Sequence, residues 1–154
     1  MRHRNVAVIG GTPPTPQQLY IDLALNYGKR LGELNSLLKT HGLSEPQYNV
    51  LRILRGAEPQ GLSCLGIAER MLSRLPDITR LLDRLEKPGW IERRRSAEDR
   101  RKVEVSLLPD GRDLLARLDQ PVLRLHTRQF ANLDPEELTE LHRLLSKSYS
   151  NSTT

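Results

Sequence analysis

Apolar residues recur at helical spacing along most of the chain. Over residues 16–41 an apolar seam advances in steps of four and three residues, and further leucines widen it. This pattern predicts a helix that packs both on its own core and on another chain, although burial within one domain is the alternative. The seam consists of Tyr20, Ala24, Tyr27, Leu31, Leu34 and Leu38.

Two shorter helices are predicted next from their start signals. Ser44 and Gln47 have the spacing of a capping box, and the helix that they open ends near Gly56. Ser63 is suited to cap a following helix over residues 63–71. The side chains expected to point inward from that helix are Leu65, Ala68, Met71 and Leu72.

The clearest amphipathic pattern lies in residues 76–87, where Pro76 suits the first helical position. The apolar positions follow the i, i+3, i+4, i+7 spacing of one helix face, and they are Ile78, Leu81, Leu82 and Leu85. The opposite face offers mainly long cationic side chains, within about 80° of one another at ~100° per residue. Its residues are Asp77, Arg80, Arg84 and Lys87.

The segment that follows this helix predicts a β-hairpin. Residues 91–107 read IERRRSAEDRRKVEVSL, in which Val103, Val105 and Leu107 alternate with polar residues as in a half-buried strand. The stems and tip of the hairpin are basic. They carry Arg93, Arg94, Arg95, Arg100, Arg101 and Lys102.

Helical spacing returns over residues 109–131, with Pro121 inside the helix, where it should produce a kink. A last helix should begin at Pro135, because Asp134 and Glu137 have the spacing of a second capping box. The sequence GGTPPTP at residues 10–16 is typical of the end of a flexible arm, which is expected over residues 1–15, and residues 150–154 are expected to form a disordered tail.

The chain has 154 residues, about the size of one domain, and its basic charge is concentrated in one segment. Its net charge is +5, and the segment from Arg74 to Lys102 contains ten basic and six acidic residues. This distribution favours a polyanionic partner. A single cysteine and the lack of an apolar run long enough to span a bilayer are typical of a cytoplasmic protein without a membrane partner.

Two short helices followed by a basic hairpin form the order of a winged helix-turn-helix. The DNA major groove is about 12 Å wide and admits one helix that is apolar behind and polar in front. Hairpin arginines would enter the adjacent minor groove, where the negative potential favours them. Asp99 would orient a neighbouring arginine through a charge-assisted hydrogen bond. The expected fold class is therefore mainly α with a small β-hairpin wing (α+β).

Several segments resemble the MarR family of winged helix-turn-helix transcriptional regulators. They are LSEPQYNVLRIL, IAERM, ITRLLDRLEKPGWIERR and, most specifically, EDRRKVEVSLLPDG, which is similar to the wing motif of the family. The similarity covers about residues 17–149. Asp99 and Arg101, with Arg100 beside them, match the structural and DNA-contacting positions of that wing.

The resemblance implies a homodimer on a pseudo-palindromic operator in double-stranded DNA. Residues 16–42 and 109–149 would form a helical dimerisation region from both termini, and residues 43–108 the winged DNA-binding lobe. Members of the family typically repress transcription, and they often release DNA when a small anionic or phenolic compound binds.

The chain departs from the family pattern at three places, one of which is Pro121 inside the long helix. Leu75, Pro76 and Asp77 stand where hydroxyl and basic residues are common at the start of the recognition helix. Asp77 could accept a hydrogen bond from a cytosine or could cap the helix. Leu108 stands where the family has a threonine, and it cannot cap the next helix as a threonine would.

An effector pocket is expected where the dimer helices meet the winged lobe. Tyr20, Tyr27, Arg30, Tyr48 and Arg52 could supply aromatic walls and a donor for an anion. The alternative is that they are core tyrosines and surface charges. The histidines are scattered and no catalytic motif occurs, so we expect neither an enzyme nor a metal or cofactor site.

These patterns together predict a dimeric, sequence-specific DNA-binding transcriptional regulator, namely a repressor released by a small ligand. The candidate DNA-binding residues are Asp77, Thr79, Arg80, Arg84, Lys87, Arg94, Arg100 and Arg101, and Asp99 would brace the wing. Two alternatives stay open. One is a sequence-tolerant architectural DNA-binding protein, and the other is a winged-helix module that holds a protein partner and does not bind DNA.

Overall fold

The computed structural model describes residues 14–72, 77–95 and 103–150, which form six helices and three strands. In chain order they are α1 (Pro16–Lys39), α2 (Glu45–Arg55), β1 (Leu62–Ser63), α3 (Cys64–Arg70), α4 (Ile78–Glu86), β2 (Ile91–Arg95), β3 (Val103–Leu107), α5 (Pro109–Gln129) and α6 (Pro135–Ser150). The chain divides into two compact units between Glu33 and Leu34, within α1. The first holds the N-terminal part of α1, and the second holds everything that follows. None of the described helices is long and apolar enough to cross a membrane.

Helices α2 and α6 begin where their start signals predict, whereas α4 begins at Ile78 with Asp77 as its N-cap, two residues after the start predicted at Pro76. At α2, the side chain of Gln47 accepts the backbone N–H of Ser44 at 2.9 Å. At α6, Asp134 and Glu137 cap each other, with backbone-to-carboxylate distances of 2.8 and 2.9 Å. Leu108 occupies the N-cap of α5 and makes no side-chain capping hydrogen bond, because a leucine side chain has no acceptor atom. These contacts join residues only three positions apart, which is why the sequence predicts them.

The sheet has the order β1-β3-β2, and both pairs of strands are antiparallel. Strands β2 and β3 form the predicted hairpin, in a register that places Ile91 opposite Leu107 and Arg95 opposite Val103. Strand β1 adds a third strand that the sequence did not predict. It has only two residues, which is too short to show an alternating pattern.

Within the second unit, one hydrophobic core packs the end of α1 against α2 to α5 and the three strands. Leu82 of α4, Leu115 of α5 and Val105 of β3 are fully buried in it, and Ile91 is nearly so. Aliphatic side chains dominate this core, as the low aromatic content requires. Its largest fully buried side chains are Leu38, Leu51, Leu54, Ile67, Leu82, Leu85, Ile91, Leu115, Leu118, Val50 and Val105.

The prediction of which side chains of α3 point inward was wrong. Leu65 and Leu72 are 69% and 80% exposed, Ala68 is also exposed, and only Met71 packs against the core. Ile67 is the buried residue of this helix instead. A helix of seven residues makes fewer than two full turns at about 3.6 residues per turn, so its own pattern does not define one apolar side. Contacts with α2 and the sheet decide which side faces inward.

Candidate nucleic-acid interface

Helix α4 is held on the core by one apolar face. Leu82 and Leu85 are fully buried, and Leu81 is 8% exposed, as the periodicity predicts. Asp77 precedes the helix, and its carboxylate accepts the backbone N–H of Arg80 at 3.0 Å. The capping role of Asp77 is therefore confirmed, and it satisfies a donor that has no partner inside the helix. Its suggested contact with a base stays a prediction.

The opposite face of α4 is open to solvent. Thr79, Arg80, Arg84 and Lys87 are all exposed, and 74% of the Arg80 side chain is accessible. A carboxylate oxygen of Asp77 lies 3.8 Å from the Nε atom of Arg80. An ion pair this long between exposed groups contributes little free energy. The guanidinium of Arg80 is consequently available to an external anion.

The three arginines of β2 do not have the same surroundings, because successive side chains of a strand point to opposite faces. The Arg94 side chain is 77% exposed, and its Nη2 atom lies 2.9 Å from the Glu92 carboxylate on the same face. Glu104 is opposite Arg94 on β3. This face borders a groove of about 550 Å³. Arg94 is thus positioned on the surface, within reach of a partner.

Arg93, in contrast, is turned towards α4. Its guanidinium pairs with the carboxylates of Asp83 and Glu86, and its Nε donates to Glu86 at 2.9 Å. Its backbone N–H also donates to Glu86, at 3.0 Å. These hydrogen bonds lower the pKa of Glu86 and raise the pKa of Arg93. In the sequence Arg93 is one of several positive charges of the predicted hairpin, because charge pattern alone does not show which arginine faces the helix.

The predicted residues of the wing tip, Asp99, Arg100 and Arg101, lie outside the described residues. Their proposed roles stay predictions. The residues that flank this segment, Arg95 and Val103, are paired across β2 and β3.

The predicted effector residues are divided between the two units. In the second unit, Tyr48 is buried, and Arg52 donates from Nη1 to the Tyr48 hydroxyl at 3.0 Å. The Arg52 guanidinium carbon lies 5.8 Å from the centre of the same ring, a cation–π distance. In the first unit, Tyr20 and Tyr27 are 74% and 61% exposed, and Arg30 is half-buried. The five-residue pocket stays a prediction.

Comparison with known proteins gives a family match across the winged lobe. Residues 43–103 match the MarR family. PrsX of Escherichia coli, an HTH-type transcriptional regulator, is 33% identical over 106 residues. This match covers 68% of the chain described here and 64% of PrsX, so the chain spans less than two thirds of that relative.

Two solved structures extend the similarity over most of the chain. A MarR transcription factor from Planctomyces limnophilus is 40% identical, with a TM-score of 0.68, over 88% of this chain and 98% of that one. A mutant of Escherichia coli MarR complexed with operator DNA is 29% identical, with a TM-score of 0.76, over 84% and 92% of the two chains. Identity and coverage at this level establish common descent, and the chain belongs to the MarR family.

Proposed function

We propose that the protein is a transcriptional regulator that binds double-stranded DNA through α4 and the wing. One observation carries the proposal. Buried leucines hold one face of α4 while the opposite face presents Arg80, Arg84 and Lys87 to solvent. A helix placed in this way has the dimensions and the charge that the major groove accepts. The similarity to a MarR protein complexed with operator DNA supports the same function.

The roles proposed for the individual residues follow from their positions. Arg80 and Arg84 would approach base edges, because arginine donates two parallel hydrogen bonds to guanine. Lys87 and the exposed Arg94 would contact phosphates. Asp77 and Thr79, at the start of α4, would lie against the DNA at the N-terminal end of the helix.

The wing tip would act in the minor groove. Arg100 and Arg101 would enter or line that groove, and Asp99 would brace them. The narrow groove concentrates negative potential, which favours arginine over other side chains.

We further propose that the functional unit is a homodimer. Among residues 135–149 of α6 no side chain is fully buried in its own chain, and Leu138, Leu144 and Leu145 are 39%, 48% and 42% exposed. The N-terminal part of α1 likewise exposes apolar residues, among them Leu19 and Leu23. Apolar stripes of this kind usually mark an interface. A second copy of the chain suits them because a palindromic DNA site requires two-fold symmetry.

Repression is the proposed sign of regulation, since a dimer bound at a promoter excludes other proteins from it. Release by a small anionic or phenolic compound would follow if that compound preferred a dimer geometry that does not fit the operator. Arg30 and Arg52 would then supply the positive charge, and Tyr20, Tyr27 and Tyr48 the aromatic walls, of the effector site.

A selection from random DNA tests the central proposal. The protein should enrich a pseudo-palindrome whose half-sites lie about one helical turn apart. Affinity for that site should fall by about a thousandfold or more between 50 and 200 mM salt, because several phosphate contacts release counterions. Enrichment of no sequence would favour an architectural protein. Absence of salt-dependent DNA binding would favour the protein-interaction module.

Two substitutions separate base contacts from backbone contacts. Arg80→Ala should change the ranking of operator variants, because it removes a base-reading donor. Arg101→Ala should weaken operator and random DNA by similar factors, because contacts to phosphates and to groove shape carry little base information. An unchanged ranking for Arg80→Ala would show that another face of the protein reads the bases.

The dimer is tested by Leu144→Glu, which places a charge in the exposed stripe of α6. We expect monomers in sedimentation analysis and loss of binding to the full palindrome. Thr139→Glu, on the same helix but outside the leucine stripe, is the control and should remain dimeric. A wild-type protein that sediments as a monomer would contradict this part of the proposal.

A further inference from the structure

We propose that Arg93 does not contact DNA and instead sets the angle between α4 and the wing, as a positioning residue for DNA recognition. The inference rests on the proposed function, because it concerns the two elements that would enter neighbouring grooves. Both must reach their grooves at the same time, so their relative orientation affects specific binding directly.

The geometry of Glu86 is the first support. Strand β2 lies at the edge of the sheet, so one side of its backbone has no partner strand. Glu86 accepts the backbone N–H of Arg93 at 3.0 Å on that open side and the Arg93 Nε at 2.9 Å. One carboxylate therefore binds both the backbone and the side chain of the same residue, which fixes the strand against the last turn of α4.

The turn between the two elements is also held by backbone hydrogen bonds. Gly89 donates to the carbonyl of Glu86 at 2.9 Å, and Trp90 donates to the carbonyl of Leu85 at 3.2 Å. Gly89 has φ 76°, a conformation that glycine adopts without strain. The turn fixes the near end of β2, and Arg93 fixes the strand three residues further along. Two such points of attachment restrict rotation of the wing about its base.

Charge provides the second support. Asp83 and Glu86 flank the cationic face of α4, and both would repel DNA phosphates if they were not neutralised. Arg93 pairs with both. The Arg93 side chain is 25% exposed, whereas Arg94, the next residue, is 77% exposed. Arg93 thus uses its Nε and Nη2 donors inside the protein, whereas Arg94, which pairs with Glu92 on the strand surface, is exposed enough to reach a phosphate.

The test compares Arg93→Met with Arg94→Met, which remove the same charge from adjacent positions of one strand. Fluorescence anisotropy would measure the affinity of each variant for the selected operator and for a scrambled duplex. Arg93→Met should lower the ratio of the two affinities by about tenfold, comparable with the loss of one specific base contact. Arg94→Met should weaken both duplexes by similar factors and leave the ratio almost unchanged. Equal effects of the two substitutions on the ratio would overturn the proposal.

A double variant separates the effect of position from the effect of charge. Asp83→Asn combined with Arg93→Met removes one unneutralised carboxylate, so it should improve binding to both duplexes without restoring their ratio. Recovery of the wild-type ratio would show that Arg93 acts only through charge, and would overturn the positioning role. If Arg93→Met loses its cooperative thermal transition, Arg93→Lys takes its place, since it retains the charge but lacks the planar fork. The ratio for Arg93→Lys should fall at least threefold, about 0.7 kcal/mol by the usual conversion, and a wild-type ratio would count against the proposal.

A measurement without DNA keeps this inference distinct from the proposed function. The Glu86 carboxyl can be titrated by carbon-detected NMR in the free protein. Its midpoint should lie below the ordinary value of 4.5 in the wild type and should rise in Arg93→Met. Identical midpoints would show that the contact is absent in solution. A lowered wild-type midpoint in a protein that selects no DNA site would leave the contact in place and reject the proposed function.

Discussion

Glycine at position 111 should contribute measurably to the stability of the fold, because it is where α5 approaches the base of the wing. A Cβ atom built on Gly111 would lie 2.3 Å from the Trp90 carbonyl oxygen and 2.8 Å from Cδ1 of Leu107. The first distance is about 1 Å short of the 3.4 Å at which ordinary contact begins. The same carbonyl accepts the Leu108 N–H at 3.0 Å, so it cannot move away without weakening that hydrogen bond.

These contacts determine the expected effect of Gly111→Ala. Overpacking of this kind costs about 1–3 kcal/mol, and a weakened hydrogen bond adds up to about 1 kcal/mol. The better helix propensity of alanine offsets at most about 1 kcal/mol. We therefore expect a net loss of about 2 kcal/mol, which lowers the melting temperature of a chain of this size by about 4–8 °C.

Thermal unfolding followed by far-ultraviolet circular dichroism measures this change. Gly56→Ala is the matched control, because Gly56 also has a right-handed helical backbone and a Cβ there would meet its nearest atom at 3.6 Å, an ordinary contact. That substitution should leave the melting temperature unchanged or raise it slightly. If Gly111→Ala melts at or above the wild-type temperature, the backbone contact does not exist in solution and the argument is refuted.

Three further substitutions test the packing, the ion pairs and the caps. Leu82→Ala should lower the free energy of unfolding in urea by about 2–5 kcal/mol, since it leaves a cavity under α4; a loss below that range would mean that α4 is loosely packed. Arg55 donates two hydrogen bonds to Asp119, at 2.8 and 2.9 Å, and these lower the pKa of the carboxyl. The pair therefore stabilises the protein fully at pH values above the ordinary Asp pKa of 3.8, and this stabilisation is lost as the pH falls through the lowered pKa of Asp119. Asp119→Asn should consequently make the free energy of unfolding depend less steeply on pH in the acid range. An unchanged pH dependence would contradict this. Asp134→Ala should cost about 1 kcal/mol at the start of α6, and hydrogen exchange that is no faster in the first turn of α6 would count against the cap seen there.

Much of the candidate interface could be predicted because its features are local. The burial of Leu82 and Leu85 follows from residues three and four positions apart on one helix. The pairing of β2 with β3 follows from an alternating run beyond a polar turn. The exposure of Arg80 and Arg84 follows from the same periodicity, because these residues lie on the helix face opposite the leucines. Each prediction needs only the geometry of one element and its nearest neighbour.

The features that were missed all depend on contacts between elements. Ile67 is buried, although Leu65 and Leu72 are equally apolar, because α2 and the sheet meet only one side of α3. Strand β1 exists because β3 offers it a pairing edge, and two residues show no alternation of their own. No pattern within α3 or β1 contains this information.

Local sequence is sufficient to determine the helices, their caps, the hairpin and the cationic side of α4, because those depend on side chains within one or two turns of each other. The partner of Arg93 and the requirement for glycine at position 111 are decided by contacts between elements. The edge of β2 meets Glu86 of α4, and α5 approaches the Trp90 carbonyl before β2. Such contacts depend on distances between whole elements, which no periodicity in the sequence specifies.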